Sequence, residues 1–104
     1  MRAPRKSQYP AKIKVKDIEY TVVFVDQIEG RDNLGLCYGD ERKLILLKNN
    51  LDPHTRFKIF IHEVLHAIEN EYGFELNHDH VYKLQDGLGD LLIQNLVGEV
   101  FSRK

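Results

Sequence analysis

The sequence predicts an α+β fold: a small twisted sheet of three to four strands followed by two packed helices. Three observations carry this expectation. Segments dense in β-branched and aromatic residues are confined to the first half, and two long stretches of helical periodicity are confined to the second. The length, 104 residues, suits one modest core and one domain. No internal repeat or low-complexity segment interrupts this order. The expected division is a flexible basic leader over residues 1–10 and a single domain over 11–104.

Lys12 to Val15 alternates polar and apolar residues, and Asp17 suits the turn that follows. Glu19 to Asp26 gives the strongest strand signal, because β-branched and aromatic side chains pack well on a pleated surface. Gly30 to Asn33 reads as a loop by composition. Leu34 to Tyr38, interrupted by Gly35, supplies a third strand. Gly39 and Asp40 turn the chain into a fourth, Lys43 to Lys48.

Asp52 is a suitable N-cap for the first helix, with Pro53 at the first helical position, where its missing N–H costs nothing. Phe57, Phe60, Ile61, Val64, Leu65 and Ile68 then fall at helical spacing as far as Tyr72. Gly73 suits the left-handed residue that ends the helix. Asn77 caps the second helix, with Leu76 and Val81 spaced for a hydrophobic staple. Its expected apolar face is Val81, Leu84, Leu88, Leu91, Leu92 and Leu96, with Asn95 the polar exception. Gly87 and Gly89 each weaken this helix by about 1 kcal/mol relative to Ala, and Gly98 is the expected stop.

Composition narrows the function classes. A net charge of −1 gives no electrostatic case for nucleic acid or an anionic membrane surface. Arg2, Arg5 and Lys6 make the first ten residues locally basic, which reads as a solvated tail. Cys37 is the only cysteine, which excludes an internal disulfide and a Cys-based zinc site. The lone thiol fits a reducing compartment and the role of a small strand residue. No apolar run approaches the roughly 18 residues of a membrane span, and no signal-peptide core follows the basic start. The expected location is the cytoplasm.

The chemistry concentrates in His62-Glu63-Val64-Leu65-His66. Histidines four residues apart on a helix lie one turn apart on the same face, so their rings can converge on one cation at about 2.0–2.1 Å each. Glu63 leans to the side of that pair and can reach an activated water without ligating the metal itself. This is the HExxH pattern of zinc peptidases. At roughly 100° per residue, Phe57, Ile61, Val64, Leu65 and Ile68 share one side of the helix and the histidines point away from it. One side can therefore pack on the sheet while the other holds the cation, expected to be Zn2+.

A catalytic zinc usually takes three protein ligands. Glu75, His78, Asp79 and His80 follow at a distance that a helix returning after Gly73 brings back to the histidine face. Asp79 points opposite to the apolar side of the second helix, and nothing positions Glu75 in its loop. His78 and His80 flank that side equally, and periodicity leaves both open.

The stretch from Tyr20 to about Leu96, roughly three quarters of the chain, resembles compact metallopeptidase-like proteins of phages and prophages. The likeness rests on Tyr20-Thr21-Val22, Val25-Asp26, Leu34-Gly35 and Lys43-Leu44-Ile45-Leu46. It continues through Phe60-Ile61-His62-Glu63-Val64-Leu65-His66-Ala67, Leu76-Asn77-His78-Asp79-His80-Val81 and Leu84 to Leu88. It is similar to one-domain HExxH proteins of the ImmA/IrrE and minigluzincin types, in which a strand-rich half precedes the metal helix and a second helix gives the third ligand. In that group the ligand stands three residues before a small apolar residue. Val81 occupies that place here, so the resemblance implies His78, where many relatives carry glutamate.

The implied activity is zinc-dependent peptide-bond hydrolysis with Glu63 as general base, acting on a protein or peptide in a bacterial host cytoplasm. Tyr82 and Tyr72 are candidate oxyanion donors. The strand Lys43 to Lys48 is the expected sheet edge for an extended substrate. The alternative is a metal-site interaction module of phage or prophage origin with little or no turnover.

Overall fold

The structure, a computed structural model, describes residues 3–29 and 33–95. Residues 30–32 of the expected Gly30–Asn33 loop, the face residue Leu96 and the stop at Gly98 lie outside the described residues. The elements are β1 (Lys12–Val15), β2 (Ile18–Val25), β3 (Gly35–Tyr38), β4 (Leu44–Lys48), α1 (Pro53–Tyr72) and α2 (His78–Asn95). They form the expected α+β arrangement, a four-stranded mixed sheet followed by two packed helices. Among the described residues no helix is long and apolar enough to cross a membrane.

Lys16 and Asp17 both take positive φ (51° and 71°), which gives the β1–β2 hairpin its tight two-residue turn. The spatial order of strands is β1-β2-β4-β3. β4 runs parallel to β2, from Thr21↔Leu44 to Val25↔Lys48, and antiparallel to β3, from Gly35↔Leu47 to Tyr38↔Leu44. This corrects the expectation that Lys43 to Lys48 is a free edge. β4 is paired on both sides and has no unpaired row of backbone groups to offer, and its Ile45 and Leu47 are fully buried. The edge next to it is β3.

One side of α1 packs on the sheet. Phe57 is fully buried, with Phe60, Ile61 and Ala67 close behind, against Tyr20, Val22, Ile45 and Leu47. Asp52 caps α1 by accepting from the Thr55 amide, and Gly73 closes it at φ 71°, a conformation that favours glycine. At the far end, Glu71 accepts from the Tyr20 hydroxyl (2.6 Å) and the Lys43 ammonium (2.7 Å), and Asn70 donates to the Gly39 carbonyl (3.0 Å). These bonds hold the C-terminal half of α1 to the β3–β4 turn. Together with the core they fix the helix against the β3 edge.

Two expectations are corrected by packing. Within the leader, residues 3–10 belong to the folded unit, while Met1 and Arg2 lie outside the described residues. Ala3, Pro4 and Tyr9 are buried, and the Tyr9 ring meets Phe24 and Phe60 edge-on at centroid distances of 5.4 and 5.2 Å. The cationic residues around Tyr9 suggest a solvated tail, but the apolar surface of Ala3, Pro4 and Tyr9 outweighs them. The second correction concerns α2, whose buried stripe is Val81, Gln85, Gly89 and Ile93. Leu84 and Leu91 are exposed and Leu88 and Leu92 half-buried. Val81, Leu88 and Leu92 of the expected face still pack inward, and Gln85 joins them by its hydrogen bond to His62.

Candidate metal centre

His62, Glu63 and His66 occupy successive positions along the side of α1 that faces α2 and β3. The helices run antiparallel: His66 lies beside His78, His62 beside Gln85, and Lys58 beside Asp90. Asn77 starts α2 at the required place, its side chain accepting from the Asp79 amide and its carbonyl from His80 and Val81. His78, on the first turn, thus stands over the α1 histidines, with ring centroids 5.5 Å from His62 and 5.6 Å from His66.

Among the described residues, His62, His66 and His78 form the group able to hold a cation, with one ligand atom from each lying within 4.8 Å of the others. His80 is exposed and does not join them. Asp79 turns to Lys83 at 3.2 Å, and Glu75 stands on the rim of the cleft. His62 is buried, His66 half-buried and His78 exposed, so the group opens from the α1–β3 floor towards solvent.

Two hydrogen bonds set the chemistry of the α1 pair. His66 Nδ1 lies 2.7 Å from Glu69 Oε1, and a carboxylate can only accept, so the Nδ1–H donates. His62 Nδ1 lies 2.7 Å from the Gln85 amide oxygen, and again Nδ1–H donates. The two Nε2 atoms are 3.1 Å apart, and with both rings neutral each is unprotonated. Neutral rings leave no proton between them, so two lone pairs face each other, an arrangement that a cation relieves. Two imidazoles on a tetrahedral zinc place their nitrogens roughly 3.3 Å apart, and the donor set fits that ion. Burial holds His62 below the ordinary histidine range, with the two neighbouring imidazoles adding to it against the Gln85 bond. That keeps the ring neutral, as a ligand must be.

Glu63 is buried against β3. Burial pushes its carboxyl up to about 7, although nearby His66 pulls the other way. Among the described residues no hydrogen-bond donor meets this carboxylate, which leaves it free to accept a proton from a water in the cleft. Its place depends on Gly35, where a side-chain carbon would come within 2.6 Å of Ile59 Cγ2 and 3.0 Å of Glu63 Oε2. Gly35→Ala is therefore expected to cost about 1–3 kcal/mol by overpacking. Urea denaturation checks this, and an unchanged midpoint would show that the strand gives way freely.

The cleft over the histidines measures about 850 Å³, with Gly35, Leu36 and Cys37 of β3 on one wall and Phe74 and Tyr82 on the opposite rim. Burial, reinforced by Glu63, pushes the Cys37 thiol up to about 12, so it is a protonated wall residue. The Tyr82 ring lies 5.1 Å from His62 and 5.3 Å from His78. Tyr72, the other candidate donor, instead lies under Lys16 at 5.1 Å, away from the cleft. Two residues of the centre, Glu69 and Gln85, are not among the candidates that the sequence offers. The signal for Glu69 is its place three residues after His66, on the same helical face. The signal for Gln85 is a polar residue four positions after Val81, inside the helix–helix seam.

Compared with known protein families, curated proteins and solved structures, the chain gives no match.

Proposed function

We propose that the chain is a zinc-dependent metallopeptidase, with His62, His66 and His78 as metal ligands and Glu63 as general base. The observation that carries this is the pair of Nε2 atoms 3.1 Å apart under the His78 ring, beside a buried carboxylate that meets no hydrogen-bond donor among the described residues. Zinc held by these residues would supply a Lewis acid for the scissile carbonyl and a water acidified to a pKa of about 7. Glu63 takes the proton from that water and delivers it to the leaving amine nitrogen. Tyr82, whose ring lies 5.1 Å from His62 on the rim, is our candidate donor to the developing oxyanion.

The substrate platform that the geometry supports is β3, which has no second strand partner among the described residues and lies beside Glu63, where an extended peptide can add as a further strand. An open cleft over an edge strand favours flexible segments of proteins over peptide bonds held in folded cores.

The test is elemental analysis of untagged protein purified without chelator, followed by an assay on a labelled unfolded protein. About one zinc per chain and cleavage that vanishes in His62→Ala/His66→Ala are expected. Zinc without any cleavage would favour the alternative, an interaction module built around the site. No zinc after reconstitution would sink the peptidase reading and leave a helix that only resembles a metal site.

A further inference from the structure

We infer that Glu69 is a positioning residue that fixes the tautomer of His66 and ties the segment bearing His78 to α1, so that the three histidines form one prearranged site. The inference rests on the zinc reading of those histidines. Glu69 is the junction of the region. Oε1 accepts from His66 Nδ1–H at 2.7 Å and Oε2 from the Leu76 amide at 2.5 Å. Its backbone carbonyl accepts from the Gly73 and Phe74 amides at 2.9 and 3.1 Å. One residue therefore orients a ligand ring and organises the reversal of the chain between the helices. His78 follows Leu76 by two residues. The Glu69 side chain is 11% exposed, so water is a poor substitute for either partner.

Both side-chain bonds require an acceptor, and only a carboxylate offers two. A glutamine of the same size has one acceptor oxygen and one donor NH2 group. The Leu76 amide is a fixed donor and takes the oxygen, which turns the NH2 towards His66. Nδ1 must then accept, and the ring proton moves to Nε2, the atom that the zinc site needs bare. Glu69→Gln is thus expected to switch the tautomer while conserving shape.

Two measurements, each made in two variants, test this, and neither is activity. Zinc affinity by chelator competition is expected to fall about 10–100-fold in Glu69→Gln, the usual cost of losing a ligand's outer partner. Nitrogen chemical shifts of His66 in the metal-free protein, at a pH where the ring is neutral, are expected to show the proton on Nδ1 in the native protein and on Nε2 in the variant. Glu69→Ala, which has no group to impose the second tautomer, is expected to lose affinity and show a mixture of tautomers. Circular dichroism and thermal melts establish that each variant is folded. Native affinity in Glu69→Gln, or an unchanged tautomer in that folded variant, would overturn the inference. Because the tautomer is read without metal, failure of the zinc reading alone leaves that arm intact and is seen separately as native protein that binds no zinc.

Discussion

Glu63→Gln is expected to lower peptide hydrolysis by roughly 10²–10⁴-fold, the usual range for a positioned acid–base group, with zinc content unchanged. The same substitution is expected to stabilise the metal-free protein. The carboxyl has its pKa raised from 4.5 to about 7 on folding. A carboxyl whose pKa is raised binds its proton more tightly in the folded state, so it opposes folding as pH rises. The cost begins above about pH 4.5, grows through pH 7 and is constant beyond it. Raising a pKa by one costs about 1.4 kcal/mol once the group is ionised, and the rise here costs about 3 kcal/mol. Metal-free Glu63→Gln is therefore expected to match the native protein in stability near pH 4 and exceed it by about 2–3 kcal/mol at about pH 8. Urea midpoints at the two pH values check the sign. A variant less stable under the alkaline condition would mean that Glu63 has a structural partner and is not held free for chemistry.

Withdrawing zinc is expected to have the largest effect on thermal stability. An ion that binds only the folded state, present at about 100 times its Kd, contributes about 2.7 kcal/mol. For a domain of this size that corresponds to a shift in Tm of roughly 10–20 °C. Thermal melts with added zinc and with chelator are the check. The expected loss on chelation disappears in His62→Ala/His66→Ala, whose melting temperature is indifferent to both. A chelator-insensitive native protein would mean that the histidines hold no ion.

The elements are legible where local chemistry decides them. Asp52, Pro53 and Gly73 punctuate α1, and the β-branched density of β2 dictates an extended chain. Strand order is not legible, because the apolar run Leu44–Leu47 fits an edge or a centre equally until its partners are known. The inward place of Gln85 on α2 is hidden for a related reason. Hydrophobicity counts apolar side chains, whereas Gln85 is turned inward by a hydrogen bond to a residue 23 positions away.

At the site, the spacing of His62, Glu63 and His66 is open to reading because one helix sets it. The approach of His78 depends on how α2 returns, and periodicity cannot separate it from His80. The structure brings the His78 ring to the α1 histidines and leaves His80 outside. Glu69 and Gln85 are illegible for a different reason, since neither residue type signals a role until its hydrogen-bond partner is in place.

The parallel pairing of β2 with β4 has a consequence for how such a protein can change. The chain leaves the sheet after β2, builds β3 on the outside and returns to pair β4 directly with β2. The wall facing Glu63 is therefore an excursion, and the central pair closes without it. Longer or differently composed excursions cost little in chain entropy, since doubling a loop adds only about 0.6 kcal/mol. Selection can remodel the cleft wall by rewriting residues between β2 and β4, while the histidine-bearing helix and the strands beneath it are inherited unaltered. The residues that line one wall of the cleft and those that carry the three histidines are thereby placed under separate evolutionary control within a single small domain.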